Sequence, residues 1–113
     1  MFDSLTTTAL TTALNGLSAR QRAIADNIAN VNTPGYQAKR VQFEDALAQS
    51  VRRGSGIAEI TTKVSLEPTN LEGNNVNLDT ETLSNIDTVL RYQFAARAVE
   101  GEFNSARTAM RTN

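Results

Sequence analysis

The chain has 113 residues, with 11 Lys and Arg against 12 Asp and Glu, and contains no His, Cys or Trp. That length fits one domain or one helical unit with an excursion, and the missing residues exclude disulfides, zinc fingers, thiol nucleophiles and imidazole-based triads. Charge is spread evenly, with zero net over residues 1–31 and 32–78 and −1 over 79–113, so there is no basic footprint for nucleic acid. No apolar run approaches the ~18–20 residues of a membrane span. The opening MFDSLTTTAL has an Asp and no Lys or Arg before Arg20, which is not the pattern of a cleavable secretory signal.

Three zones follow in chain order. Residues 1–32 form the first; between Ser4 and Asn32 there is no proline, and Leu10, Leu14, Leu17, Gln21, Ile24, Ile28 and Val31 keep an unbroken 4-3 spacing. That heptad seam predicts a long amphipathic helix of the coiled-coil kind. Thr6, Thr7, Thr8, Thr11 and Thr12 are poor helix formers, so this end is expected to fray unless something docks on it. Pro34 disfavours the α region for Thr33, which stops the helix near Asn32. Gln21 either specifies register within the seam or lies solvated at its rim.

Residues 33–78 hold both prolines and four of the six glycines. Asn32-Thr33-Pro34-Gly35-Tyr36 carries type II turn chemistry, because Pro presets the first dihedral and Gly supplies the positive φ of the second. It is either a fixed elbow presenting Tyr36 and the following segment to a partner or a plain helix terminator. Asn27, Asn30 and Asn32 either bind a backbone through their amide groups or cap the helix carbonyls. Phe43, Leu47 and Val51 line one face of a short helix ending at Arg52-Arg53-Gly54. Ile60, Thr62, Val64 and Leu66 alternate with polar neighbours, as in a half-buried strand. Glu72-Gly73-Asn74-Asn75 reads as a turn.

Residues 79–113 again lack proline and read as a second long helix. Asp79 is expected at its N-cap, with Leu78 and Leu83 as a hydrophobic staple, and Asp87–Arg91 as an i,i+4 pair. Val89, Tyr92, Ala96, Val99, Phe103, Ala106 and Met110 form a second heptad seam. Leu83, Ile86, Leu90 and Phe94 form another stripe on nearly the opposite face, and one partner helix cannot cover both. The expected fold is mainly α: two long terminal helices paired as a coiled-coil hairpin around an irregular or small β centre.

No constellation supports catalysis, a cofactor or a metal. Gly54-Ser55-Gly56 lacks the lysine of a phosphate loop, Glu44-Asp45 lacks further oxygen ligands, and Lys39-Arg40 and Arg52-Arg53 read as solvated surface pairs. Two seams and a leftover apolar stripe instead point to assembly. A subunit whose complementary faces do not close builds rings or open filaments, and such a chain is expected to be partly disordered at its ends until it assembles.

Residues 14–36, LNGLSARQRAIADNIANVNTPGY, resemble the N-terminal signature of bacterial flagellar rod and hook proteins. Its core is Asn27-Ile28-Ala29-Asn30 followed by Thr33-Pro34-Gly35-Tyr36. The run Gln37–Glu44, the stretch Gly73-Asn74-Asn75-Val76-Asn77-Leu78-Asp79 and Leu90-Arg91-Tyr92-Gln93 look most like a proximal rod member of that family. Residues 51–70 are shorter than the resemblance implies. The resemblance implies a structural subunit of the basal body rod, the periplasmic drive shaft linking the membrane ring to the hook in motility. It implies export by the flagellar type III apparatus without a cleaved signal. The implied partners are other rod subunits, copies of itself and the proteins of the membrane-ring junction, with no nucleic acid, membrane insertion or enzymatic activity. Under it, Asn27–Asn30 and Asn32–Tyr36 set the angle between inner helix and outer segment, and the seams pack helices within and between subunits. The competing readings are another flagellar axial protein and a soluble helical-hairpin adaptor.

Overall fold

A computed structural model describes residues 4–111. Helix α1 spans Ser4–Ala29, strand β1 Lys39–Gln42, helix α2 Glu44–Arg52, strand β2 Thr61–Val64 and helix α3 Leu78–Arg111. The architecture is mainly helical, two long terminal helices with a small antiparallel ribbon between them. At ~1.5 Å per residue, α1 and α3 laid end to end would reach roughly 90 Å. The molecule measures 67 × 25 × 14 Å, and the last turns of α1 bond to the first turn of α3 through Asn27 and Glu81. Helix α3 therefore runs back alongside α1 as a hairpin.

The ribbon pairs Lys39 with Val64 and Gln42 with Thr61. Its expected face is not the one that is buried: Ser65 is buried, whereas Val64 and Leu66 are exposed. Ile60 does pack against the core, but Val64 and Leu66 do not, and Ser65 lies where the Asn75 amide bonds its carbonyl at 3.1 Å. The outer edge of β1 is closed by side chains from α1: Asn27 Nδ2 donates to the Lys39 carbonyl at 3.0 Å and an Arg20 amino group to that of Val41 at 2.7 Å. Such capping removes open strand edges that would otherwise invite pairing.

The core is small. Leu17, Ala23, Val41 and Phe43 are buried together, flanked by Ala13, Ala19, Leu47 and Ile60. Gly16, Arg20, Ala23 and Asn27, spaced 4-3-4 on α1, face the ribbon and the start of α2. Gly16 lets the Phe43 ring lie against the helix backbone; a Cβ there would stand 2.5 Å from the ring. Helix α2 ends at Arg52-Arg53-Gly54 as expected, with Gly54 at φ +83°. The threonine-rich end of α1 is docked: Thr12 Oγ1 donates to the Gly56 carbonyl at 2.8 Å, and the Gly56 backbone lies against Leu5 and Ala9.

Candidate functional site

Three clusters of side chains fix how the helices meet the elbow. The first is the elbow itself. Gly35 has φ +76° and the Tyr36 amide donates to the Thr33 carbonyl at 3.2 Å, the bond of a type II turn about Pro34-Gly35. This turn is more than a terminator, because the Gly35 amide also donates to the Glu72 carbonyl at 2.8 Å. A Cβ on Gly73 would stand 3.3 Å from the Gly35 Cα, so the two glycine turns lie against each other.

The second cluster divides the backbone bonding among successive asparagines. Asn70 Oδ1 accepts from the Glu72 and Asn74 amides and shapes the turn. Asn74 Nδ2 donates to the Asn30 and Thr33 carbonyls, both at 2.9 Å, closing the C-terminal end of α1. Asn75 accepts from the Ala38 amide at 2.7 Å and donates to the Ser65 and Glu67 carbonyls at 3.1 Å, joining the ends of the ribbon. Asn77 Oδ1 accepts from the Asp79 and Thr80 amides at 3.0 and 3.2 Å. The N-cap of α3 is thus Asn77 and not Asp79, which moves the Leu78–Leu83 pair out of staple positions. Both residues are good caps; Asn77 prevails because the chain is already held just before it.

The third cluster is the buried contact between α1 and α3. Asn27 is fully buried and makes four hydrogen bonds. Its Oδ1 accepts from the Tyr36 hydroxyl at 3.1 Å and the Lys39 amide at 2.8 Å, and its Nδ2 donates to the Lys39 carbonyl at 3.0 Å and Glu81 Oε2 at 3.1 Å. Glu81 is 0 % exposed, and its other oxygen accepts from Arg40 at 2.7 Å. Burial, the first cause, pushes the Tyr36 hydroxyl above its ordinary value of 10.0, so it remains a neutral donor to Asn27. Farther along the same edge of β1, Arg20 grips Glu44 through both amino groups at 2.6 Å and lies 5.1 Å from the centre of the Phe43 ring. This hydrogen bonding from Arg20 is the first cause holding the Glu44 carboxyl below the usual carboxylate range. Arg91 of α3 approaches Glu44 at 3.9 Å and bonds Asp87 at 2.9 Å as the i,i+4 pair expected from its spacing.

The elbow residues divide in their placement. Asn27, Asn30, Thr33, Gly35 and Tyr36 enter these networks; Asn30 donates to the Asp26 carbonyl and accepts from the Thr33 hydroxyl. Ala29, Asn32 and Pro34 are exposed. In the α1 seam Leu17 and Ile24 are buried, Leu10, Leu14 and Val31 are half-buried, and Ile28 faces outward. Residue 27 points in where the heptad placed residue 28, because the ribbon packs on the flank of α1.

On α3 the face turned towards α1 is centred on neither of the two apolar stripes and shares only Val99 and Ala106 with the seam. It carries Glu81, Thr88 and Ala95, fully covered, with Ser84, Ala98, Val99, Glu102 and Ala106 partly covered. The seam Val89, Tyr92, Ala96, Val99, Phe103, Ala106, Met110 is rotated from that face by roughly 60°. Val89, Ala96, Val99 and Ala106 are half-buried along its flank, while Tyr92, Phe103 and Met110 face solvent. The other stripe is turned away by about 145°: Leu83, Ile86, Leu90 and Phe94 are 69, 53, 61 and 77 % exposed. The two helices approach closely because the facing residues are small, which leaves the large apolar ones outside.

Sequence patterns carry parts of this arrangement and not others. Arg20, Arg40 and Glu81 have no motif of their own, and Gly16 is legible only as a glycine in the interior of an otherwise uninterrupted helix. Asn74, Asn75 and Asn77 carry the resemblance without a role attached. Among the described residues no group of three or more acidic side chains converges to hold a metal. No helix there is long and apolar enough to cross a membrane.

Comparison with known proteins bears on the family of the chain. Residues 9–37, which hold most of α1 and the elbow, match the flagella basal body rod protein family. The chain is 30 % identical to the flagellar basal body rod protein FlgB of Bacillus subtilis, with 89 % of each chain covered. It is 31 % identical to the FlgB of Escherichia coli over 80 % of this chain and 81 % of that one. The flagellar basal-body rod protein FlgG of Caulobacter vibrioides matches at 44 % identity, over 40 % of this chain and 18 % of its own length. A shared helix-and-elbow module, with likeness to FlgB continuing through most of the sequence, places the chain in the FlgB family of flagellar basal body rod proteins, the structural subunits of the rod.

Proposed function

We infer that this rod subunit assembles through the outward face of α3, with the elbow holding the ribbon at a fixed angle to the helical hairpin. One observation carries the reading: Leu83, Ile86, Leu90 and Phe94 form a continuous exposed apolar stripe along three turns of a helix already paired on its other side. Monomeric proteins seldom leave such a stripe in water, and it marks a surface for other proteins. Its occupants are helices of other rod subunits, whether copies of this chain or relatives, and at one end the proteins of the membrane-ring junction. The exposed members of the neighbouring seam, Tyr92 and Met110, extend the same contact. Support for a location in the periplasmic rod, and for export through the flagellar type III apparatus without signal cleavage, comes from the kinship with FlgB proteins. Support for a mechanical role comes from the same kinship with rod proteins.

The test is complementation of an in-frame deletion, imaged by electron cryotomography of the cell envelope. The deletion is expected to leave inner-membrane rings without a rod or hook, and the intact gene to restore both. Leu90→Glu and Phe94→Glu are expected to fold normally in isolation, because these positions are exposed, yet to fail to restore rods. Rods and swimming in cells carrying either variant would sink the interface. Rods in the deletion strain itself, with no second copy of the gene, would sink the assignment to the rod.

A further inference from the structure

Between α1 and α3 the packing is inverted relative to the ordinary rule for amphipathic helices. Helix α3 turns Ser84, Thr88 and Ala95 towards its partner and leaves Leu83, Ile86, Leu90 and Phe94 in water. Apolar burial alone favours the opposite arrangement, because each large side chain withdrawn from water stabilises far more than an alanine or threonine does. A rotation of α3 by about 145° about its axis would bring the large stripe inward. Something must oppose that rotation, and besides the exposed approach of Arg91 to Glu44, the contact that would be lost by it is the buried cluster at the first turn of α3. Glu81 is fully buried there, with one oxygen on Asn27 and the other on Arg40. Turning α3 would pull the carboxylate off both partners and leave Asn27, also fully buried, with an unmatched amide donor. Breaking a buried charged contact by removing one partner is among the costliest changes a small protein can undergo.

We propose that the Asn27–Glu81–Arg40 cluster is the determinant that selects the inward face of α3, keeping the large apolar stripe outside for neighbouring subunits. The stripe's use in assembly is the reading given above; the selection itself is a property of the single chain. The rest of the α1–α3 contact supplies little discrimination, since small residues at heptad spacing fit against α1 in several rotations and staggers. Asn27 is also tied to Lys39 by its backbone amide and carbonyl. The same cluster therefore couples the rotation of α3 to the start of the ribbon, so that the elbow and the apolar stripe keep a constant mutual orientation. This parallels the use of single buried polar residues to fix register in coiled coils.

The chain contains no cysteine, so one introduced thiol reports one position. Thr88→Cys places it on the buried face and Leu90→Cys on the exposed one, and alkylation rates are measured on the dilute chain with Glu81 intact, with Glu81→Gln and with Glu81→Leu. With Glu81 intact, the thiol of Leu90→Cys is expected to react at least tenfold faster than that of Thr88→Cys. Glu81→Gln keeps one acceptor oxygen for these two donors and turns its NH2 towards the other, so it is expected to retain that order with a smaller ratio. Glu81→Leu is expected to reverse it at unchanged helix content, with the thiol at position 88 at least tenfold faster and the one at position 90 at least tenfold slower. Acceleration of both thiols would mean that Glu81 only stabilises the fold, and rates that do not move would mean that other contacts orient α3. Either result overturns the proposal. Because the readout needs no assembly, it is independent of whether Leu90→Glu blocks rods: failure of the interface would leave the thiol result standing, and the reverse.

Discussion

Replacing Gly16 by alanine tests the packing of α1 against α2 with a single methyl group. A Cβ at residue 16 would stand 2.5 Å from Cδ1 and Cε1 of Phe43 and 2.7 Å from its Cγ. Comfortable carbon–carbon separations are about 3.5–4.0 Å, so the ring or the helix must retreat by roughly 1 Å. The ring has little room, since Phe43 is buried with Leu17, Ala23 and Val41 and lies beneath the Arg20 guanidinium. Overpacking of this kind costs about 1–3 kcal/mol, against a gain of about 1 kcal/mol from exchanging Gly for Ala within a helix. Gly16→Ala is therefore expected to destabilise by up to about 2 kcal/mol.

Gly101 supplies the internal control. It lies in α3 with nothing within 4 Å of its would-be Cβ, so Gly101→Ala keeps only the propensity term and is expected to stabilise by about 1 kcal/mol. Urea unfolding followed by far-ultraviolet circular dichroism should show the two midpoints moving in opposite directions at similar slope. Adding Phe43→Leu to Gly16→Ala should recover about 1 kcal/mol relative to the sum of the single changes, because the two residues touch. A rise in the Gly16→Ala midpoint equal to that of Gly101→Ala would refute the close approach, and with it the account of how α2 is seated.

Asn74→Ala removes both donors from the Asn30 and Thr33 carbonyls and is expected to cost about 1–3 kcal/mol, measured by the same urea titration. A smaller loss with unchanged hydrogen exchange at the end of α1 would mean that water serves those carbonyls equally well. Gly35→Val forces a β-branched residue to φ +76° and is expected to cost roughly 1–2 kcal/mol while helix content stays constant; normal stability and normal rod assembly would show that the elbow tolerates another shape. The Glu44 carboxyl is depressed, mainly by its hydrogen bonds from Arg20, below its ordinary 4.5. Its contribution is therefore complete above that value and is lost as pH falls through the lower folded-state pKa. Glu44→Gln should be less stable at pH 7 and show a shallower loss on acidification below about 4.5, and equal slopes for the two chains would count against the ion pair.

Periodicity located the helices but not the inward face of α3, whose pattern shows why. Around its circumference apolar residues occupy two stripes, and between them the small residues Ser84, Thr88 and Ala95 make a third that no hydrophobic count selects. A heptad reports that a seam is possible; which seam is used depends on how closely two backbones approach, and small side chains win when a polar anchor fixes the rotation. Glu81 was invisible for the same reason. An acid in the first turn of a helix reads as a favourable charge near the dipole, and only the arrival of Asn27 and Arg40 from 54 and 41 residues away in sequence makes it a buried anchor. The elbow was legible because Pro-Gly acts through local dihedrals, which need no distant partner. The Asn70–Asn77 segment was half legible: its turn was visible in composition, whereas the carbonyls it serves belong to α1 and the ribbon.

The prominence of asparagine in these contacts follows from the thinness of the molecule. At 14 Å in its shortest dimension, the chain has no second layer behind the elbow to pair the backbone groups that the turns and the end of α1 expose. An asparagine side chain offers an acceptor and two donors without a charge, so it can stand in for a missing strand, as Asn75 does between Ala38, Ser65 and Glu67. Apolar residues at these positions would bury area but leave those backbone groups unmatched, at about 1–3 kcal/mol each. The backbone is thereby satisfied within the subunit, and the large apolar residues of α3 are not needed to cover it. A subunit that had used Leu83, Ile86, Leu90 and Phe94 to complete its own core would have gained stability alone and lost the surface proposed here for assembly.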